Sequence, residues 1–241
     1  MMGGANAWHH EASWPPASTA LHLYLNGAAT AAAGEATSAP ATHRLERTAP
    51  TESAAATEYV SDPANRVHLR DVDKDPNYGA YDMRELGARS DVVTFETPTL
   101  TEDLDVRGRV GAKIYLSVDA PDVDLAIKVV DVDENGNAWS LLSPAAEMLR
   151  ASSRDGGATR KLMTSGEVVT LDLPNLVTAN RFAKGHKIRV YITSSFYPAV
   201  SPNLQTGKDE ATSSETRRAT VRILHDREHA SEIILPTANT R

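Results

Sequence analysis

Cysteine is absent from the 241 residues, which excludes disulfide bonds, thiol catalysis and cysteine-ligated zinc. Aromatic residues are also scarce, at 5% of the chain. No run of Lys and Arg interleaved with aromatics occurs, and acidic residues outnumber basic ones by 32 to 25. Because nucleic acids and anionic membrane surfaces attract positive charge, neither is expected as a partner.

Long apolar runs are missing as well. A helix that crosses a bilayer needs about 18 consecutive apolar residues, and no stretch approaches that length. The first ten residues, MMGGANAWHH, lack the basic segment followed by an apolar segment that typifies a secretory signal. These absences predict a soluble chain with no membrane partner, and they favour the cytoplasm as its location.

The sequence is rich in alternation of apolar and polar residues. From Leu104 to Val118 the apolar residues share one parity, which is typical of a strand with one buried face, and Gly108 and Gly111 mark a bend or bulge. Two short helical segments are expected, near 144–151 and 177–182. Further strands are predicted at 21–25, 123–132, 167–173, 187–195, 218–224 and 231–235.

Many strands and few helices predict an all-β fold, a β-sandwich of the jelly-roll type, over residues 86–241. Residues 1–85 are predicted to form an irregular arm. Within it, 28–57 is dominated by Ala, Thr and Ser without helical periodicity and has room for one short strand. The segment 59–81 contains Asp-Pro twice and is typical of a winding connection.

The stretch GHKIRVYITSSFYP (185–198) has the residue types of a serine hydrolase. However, His186 and Ser194 lie eight residues apart on one predicted strand, a separation of about 26 Å. A catalytic base must reach its nucleophile within about 3 Å. The Gly-x-Ser-x-Gly elbow of α/β-hydrolases also occurs nowhere in the chain. The stretch is therefore interpreted as a turn at Gly185, a locally hydrogen-bonded His186 and a core strand.

Two patterns raise the question of a metal site. DVDENG (131–136) matches the first half of an EF-hand loop, but the twelfth position is Leu142 instead of the bidentate Glu. Asn135-Gly136 between alternating segments favours a hairpin turn over a cation site, because both residues tolerate a positive φ.

The other metal pattern consists of Asp119, Asp122 and Asp124 around a proline. Three carboxylates can gather round a cation, yet Asp and Pro are common in turns, so a corner between strands is the preferred interpretation. The adjacent His9 and His10 point in different directions, unlike the spaced pairs that bind metals. No catalytic, cofactor-binding or metal-ligating residue is therefore assigned, and no cofactor is expected.

The order of motifs along the chain carries more information than any single motif. Eight motifs in this order, spread over nearly the whole chain, resemble the C-terminal part of the CocE/NonD serine hydrolases. That group includes cocaine esterases, α-amino acid ester hydrolases, glutaryl cephalosporin acylases and X-prolyl dipeptidyl-peptidases. The motifs are GGANAW…WPP (3–16), YVSDP (59–63), RSDVVTFETPTLTEDLDVRG (89–108), DAPDVDLAIKVVDVDENG (119–136), GEVVTLDL (166–173), FAKGHKIRVYITSSFYP (182–198), SPNLQTG (201–207) and SEIILP (231–236).

In that family an α/β-hydrolase domain with a helical cap carries the Ser-Asp-His triad, and a jelly roll follows it. The resemblance implies that this chain is the jelly roll, with a galactose-binding-domain-like fold, and that no position here corresponds to the triad. The implied role is noncatalytic: to stabilise a hydrolase domain, shape its substrate entrance and help it oligomerise. The chain is then expected to be inactive alone, and residues 64–81 are the candidate contact with the hydrolase domain.

Two other interpretations remain open. One is a free-standing jelly roll that binds carbohydrate or another ligand through its few tryptophans, Trp8, Trp14 and Trp139. The other is that the chain is a fragment or one part of a split enzyme. If residues 1–30 normally pack against a hydrolase domain, apolar surface around Trp8, Trp14 and 21–25 is expected to be exposed. The isolated chain would then dimerise through this region or be disordered there.

Overall fold

A computed structural model of the protein describes residues 1–27, 40–68, 80–141, 147–156 and 159–238. These residues form strands and two short 3-10 helices, at Arg84–Ala88 and Ala151–Ser153, and no helix among them is long and apolar enough to cross a membrane. The strands are β1 (Met2–Gly3), β2 (Thr19–Asn26), β3 (Thr42–Glu46), β4 (Ala56–Ser61), β5 (Val93–Glu96), β6 (Leu104–Val118), β7 (Asp124–Val132), β8 (Ala138–Ser140), β9 (Glu147–Arg150), β10 (Val168–Phe182), β11 (Lys187–Thr193), β12 (Ala219–Leu224) and β13 (Glu232–Thr237).

The strands form one curled sheet in the order β1-β10-β6-β13-β2-β3-β5-β11-β7-β8. Strand β12 pairs with β4 and β6, and β9 pairs with β7. The pairs β1–β10 and β3–β5 are parallel, while the others are antiparallel. The curl brings β6 and β10 over β7 and β11, and a single apolar cluster joins the two halves. The all-β, sandwich-like fold is thus confirmed, whereas jelly-roll strand order and likeness to galactose-binding domains stay predictions.

Strand β6 shows the alternation that the sequence predicts. Its apolar residues Ile114 and Leu116 are fully buried in the core, while Lys113 and Tyr115, which alternate with them, are partly exposed. The expected irregularity is present opposite Gly111, where the register of β10 against β6 shifts between Leu173 and Leu176. One face of β6 therefore packs against the main apolar cluster.

The other half of the fold is buried on both faces. All nine residues of β7 are buried, because Ile127 and Val129 face the main core while Val130 faces a second apolar cluster. That second cluster also contains Tyr191 and Phe196, and residues 83–92 help to cover it. This double burial explains why the sequence of β7 reads as an almost continuous apolar run.

Two expectations of helix were wrong. Residues 177–182 are the second half of β10 and pair with the first half of β6. Their inward positions are Thr178, Asn180 and Phe182, so polar residues on the buried face concealed the alternation. Residues 147–150 form β9 and 151–153 a 3-10 turn, while 142–146 lie outside the described residues.

The first 85 residues are irregular over much of their described length, but they also supply β1 to β4 to the sheet. The predicted strand at 21–25 lies within β2. Strands β3 and β4 lie at or beside the Ala- and Thr-rich segment, in which one short strand was expected; part of that segment, 28–39, lies outside the described residues. The division of the chain near residue 85 stays a prediction.

Candidate functional site

His186 and Ser194 lie at opposite ends of β11 and have different partners. His186 Nδ1 is 2.9 Å from Asp131 Oδ1, and Ser194 Oγ is 2.8 Å from the hydroxyl oxygen of Tyr59. Gly185 has a φ of 90° in the turn that leads from β10 to β11. The strand between is core, as the full burial of Val190 shows. The turn at Gly185 and the core strand are confirmed, whereas the hydrogen bond of His186 is made with Asp131 on β7 and is not local in sequence.

DVDENG forms the turn of a β-hairpin between β7 and β8, as expected. Gly136 has a φ of 81°, and its N–H donates to the carbonyl oxygen of Asp133 at 3.0 Å. The Asp133 carboxylate accepts hydrogen bonds from Asn137 Nδ2 at 2.7 Å and from Trp139 Nε1 at 3.0 Å. Although burial acts to raise it, these bonds and two from backbone N–H groups lower the pKa of Asp133 to about 2. The carboxylate at the third position of the calcium-loop pattern is thus committed to hydrogen bonds within the turn.

The second acidic cluster is held by arginines. Asp122 is completely buried and lies 2.7 Å from Arg160 Nη2, and its carboxylate also accepts from the backbone and side chain of Ser152. Asp124 pairs with Arg150, at 2.9 Å from its Nε. Burial raises the pKa of Asp124, and the hydrogen bond from Arg150 opposes that rise. The preferred interpretation of a structural corner is confirmed, since guanidinium groups supply the positive charge.

The remaining metal candidates are His9 and His10, which are both exposed and lie in the segment between β1 and β2. Within the parts of the chain that the structure describes, no group of three His, Asp or Glu side chains is arranged to hold a metal ion.

A cavity of about 550 Å³ opens beside the hairpin that DVDENG forms. Its wall combines β1, the end of β7, β8, the inner face of β10 and the turn before β11. Six of the lining residues are Gly3, Asp131, Trp139, Ser140, Asn180 and His186. Burial raises the pKa of Asp131, while the hydrogen bond with His186 and then the nearby amide of Asn180 oppose that rise. The cavity thus combines two buried polar side chains, Asp131 and Asn180, with an aromatic side chain, Trp139, that is 38% exposed.

Sequence reasoning did not single out Asn180 or two other buried polar groups. Lys128 is 2% exposed, and burial lowers its pKa to about 8; it lies on β7, where burial on both faces removes the alternation that would separate it from core residues. His225 is fully buried at the end of β12. For each of them the sequence shows only a polar residue in a strand, and pairing with distant strands decides its burial.

The exposed aromatic surface near the N-terminus is as predicted for two tryptophans. Trp8 is 96% exposed and Trp14 is 55% exposed. The expectation was wrong for the neighbouring strand, because Leu23 and Leu25 are buried in the core. Strand β2 pairs with β13 on one side and β3 on the other, which turns these leucines inward. Within residues 1–27, the tryptophans that expose apolar surface therefore lie in the segment before β2.

The chain is similar to hydrolases along nearly its whole length. It is 31% identical to cocaine esterase from Rhodococcus sp. (strain MB1 Bresler), over 97% of this chain and 40% of that protein. It matches the crystal structure of an aminopeptidase from a marine sediment archaeon, Thaumarchaeota archaeon, with a TM-score of 0.83 and 27% identity, over 97% of this chain and 39% of the other. An α-amino acid ester hydrolase gives a TM-score of 0.77 and 26% identity, over 96% of this chain and 38% of the other.

A CocE/NonD family hydrolase from Staphylococcus aureus shares the fold, with a TM-score of 0.65 at 18% identity, over 96% of this chain and 38% of the other. The chain thus spans about two fifths of the length of each of these relatives. The family described as the X-Pro dipeptidyl-peptidase C-terminal non-catalytic domain matches residues 1–234. On this match and these relatives, the chain belongs to the family of X-Pro dipeptidyl-peptidase C-terminal non-catalytic domains.

Proposed function

We propose that this chain serves as the accessory domain of a CocE/NonD-type serine hydrolase, an esterase, acylase or dipeptidyl-peptidase. It packs against an α/β-hydrolase domain that carries the triad, stabilises that domain and shapes its substrate entrance. One observation carries the proposal: nearly all of this chain matches about 40% of an esterase, an aminopeptidase and an ester hydrolase. The remainder of those enzymes has no counterpart here, and it includes the length that a catalytic domain requires.

The exposed tryptophans support a contact with such a domain. An indole that is 96% exposed, as in Trp8, leaves a large apolar surface in water, and Trp14 adds to it on the same segment. Aromatic side chains of this kind are enriched among the residues that dominate protein interfaces. An ion pair between Glu11 and Arg107 links the same segment to β6.

Residues 64–81 stay the candidate contact with the hydrolase domain. The part from 69 to 79 lies outside the described residues, but both flanks are anchored. On one side the ring of His68 lies against Tyr197 at 5.3 Å, and Val67 N–H donates to Ser195 Oγ at 2.9 Å. On the other side Tyr81 and Ser140 exchange two hydrogen bonds. The described flanks of the segment are thus held against residues 195–197 and Ser140, and these flanks are the part that supports the proposed contact.

The test begins with activity. The purified chain is expected to hydrolyse neither p-nitrophenyl esters nor X-Pro-anilides, because the triad would reside in the other domain. Clear turnover that a serine-directed reagent abolishes would contradict the proposal. The DNA immediately upstream of the coding sequence is expected to encode an α/β-hydrolase, and finding none in that position would also count against it.

Association provides the second test. The chain co-expressed with that hydrolase domain should co-purify with it, and replacing Trp8 and Trp14 with Ser should weaken the complex at least about tenfold, as loss of a buried aromatic anchor does. The matched control is Leu162→Ser, because Leu162 is an apolar side chain of similar exposure, 46%, outside the segment. Equal weakening by the control would refute the assignment of the interface to this segment.

A further inference from the structure

The cavity beside the hairpin contains a buried hydrogen-bond donor without a partner. Asn180 is 3% exposed, and its Nδ2 atom forms no hydrogen bond within the described residues. The side chain is held in place on β10, where Gly3 packs so closely that an added Cβ would lie 2.7 Å from Asn180 Oδ1. Buried polar groups in proteins are nearly always paired, so an unpaired N–H at the wall of a cavity is available to an acceptor within the cavity.

An acceptor lies beside this donor. The Asn180 amide interacts weakly with the Asp131 carboxylate, which acts to lower the pKa of Asp131, but the contact lacks the geometry of a full hydrogen bond, so at least one of the two amide N–H groups has no acceptor. His186 fixes the orientation of the Asp131 carboxylate through its 2.9 Å contact. A donor and an acceptor side by side are matched by one hydroxyl group, which can accept from the amide and donate to the carboxylate at the same time.

The rest of the wall selects for a neutral ligand with an apolar face. Trp139 is partly exposed, and its Nε1–H bond to Asp133 fixes the orientation of the indole. Indole faces stack against the C–H groups of sugar rings. The carboxylates of the wall disfavour an anion, and those of Asp131 and Asp133 already accept hydrogen bonds from the protein, which reduces their attraction for a cation.

We propose that this cavity binds a neutral polyhydroxylated ligand of the size of a mono- or disaccharide, with one hydroxyl between Asn180 and Asp131 and a ring face on Trp139. A volume of about 550 Å³ is in the range of small-molecule sites. The site is independent of the accessory role, because it requires no catalytic domain. It also gives a structural basis to the sugar-binding interpretation that Trp139 suggested.

The experiment is a ¹H–¹⁵N NMR titration of the whole chain with D-glucose, D-galactose, D-xylose and myo-inositol, each tested separately. We expect saturable shifts of the Gly3 and Gly4 amides and of the Trp139 indole N–H, with a Kd in roughly the millimolar range. Asn180→Leu and Trp139→Ala should each weaken binding at least about tenfold, which corresponds to the loss of one well-placed hydrogen bond or of the stacking contact. Trp139 is exposed enough for its variant to fold even if the Asn180 variant does not.

Matched controls are Asn175→Leu, on the same strand but outside the cavity, and Trp8→Ala, an exposed indole elsewhere. Both should bind as the unaltered chain does. Absence of shifts with all four probes in a folded chain would overturn the proposal. So would binding that survives both cavity variants, or saturable shifts with tetramethylammonium or acetate in place of the sugars.

Discussion

His225 shows how a single residue can set the acid sensitivity of this fold. It is fully buried, and its Nε2 lies 3.0 Å from Thr57 Oγ1, while Nδ1 has no hydrogen-bond partner within the described residues. Burial, and secondarily the proximity of His43, lowers the pKa of His225 to about 4. The folded protein therefore keeps this imidazole neutral where an exposed histidine would be charged.

We predict that the free energy of unfolding falls as the pH drops from about 6.5 to 4. In this window the unfolded chain binds a proton at His225 and the folded chain does not, so the lowered pKa costs roughly 3 kcal/mol of stability by pH 4. Above pH 6.5 His225 is neutral in both the folded and the unfolded chain, so it no longer lowers the free energy of unfolding. Urea denaturation at a series of pH values measures the slope.

The variant His225→Gln should flatten that slope, although part of it should remain because burial also lowers the pKa of His43. The control is His9→Gln, which changes an exposed histidine in the N-terminal segment. An unchanged pH dependence in His225→Gln would show that this residue is not the acid-sensitive group.

Asp122 and Asp119 provide a second prediction at the scale of single residues. Asp122→Ala should reduce the free energy of unfolding by about 3–5 kcal/mol, because it leaves the guanidinium of Arg160 and the donors of Ser152 without their buried partner. Asp119→Ala should cost about 1 kcal/mol, because that carboxylate accepts one exposed hydrogen bond, from the N–H of Thr220. Urea denaturation of both variants measures the difference, and equal losses would contradict this account of the corner.

At the scale of elements, a strand could be predicted where apolar residues occupy its buried positions, as in β6 and β7. Strand β6 could be located to the residue, since its polar side chains alternate with buried ones. The second half of β10 was mistaken for a helix, because its inward face carries Thr178 and Asn180. Nothing local in the sequence shows that these polar residues face inward; pairing with β6 places them there.

The shortest strand gives a prediction of its own. An added Cβ at Gly3 would lie 2.3 Å from the carbonyl oxygen of Arg181, and that oxygen is held in β10 by pairing with β6. Gly3→Ala should therefore separate β1 from β10. The Gly4 amide, which donates to the same oxygen at 3.2 Å, should lose its protection from hydrogen exchange.

The control for Gly3→Ala is Gly166→Ala. Gly166 also has a positive φ, 79°, but an added Cβ there meets no atom within 4 Å. Its variant should carry the conformational cost alone, about 1–2 kcal/mol, and leave the Gly4 amide protected. Retained protection in Gly3→Ala would mean that the strand tolerates the closer approach.

At the scale of the whole molecule, the exposed N-terminal tryptophans predict self-association of the isolated chain. Two largely solvent-exposed indoles on one segment favour association with a second copy of the chain when no other partner is present. Sedimentation should show a concentration-dependent dimer, and replacing both Trp8 and Trp14 with Ser should give a monomer. A monomeric unaltered chain with a well-protected N-terminal segment in hydrogen exchange would contradict this prediction.

Family and candidate site differ in how far the sequence reveals them. Eight motifs in a fixed order were enough to predict the family, because order is a property of the linear chain. The cavity could not be predicted, since Gly3, Asp131, Asn180 and His186 come from four separate segments. Only the hairpin at 131–139, which supplies Asp131 and Trp139, could be predicted from the sequence as one unit.

The position of β13 has a consequence for how the protein is made. Strand β13 lies between β6 and β2, so residues 19–24 gain their antiparallel neighbour on this side only from residues 232–237, whereas β3 pairs with the other side of β2. On the ribosome, this edge of β2 stays open until residues 232–237 have been translated. Contacts between such distant segments form slowly, and an exposed edge can pair with another nascent chain in the meantime. Residues 232–237 thus complete the sheet, and a chain that stops before Glu232 would leave the sheet open between β6 and β2.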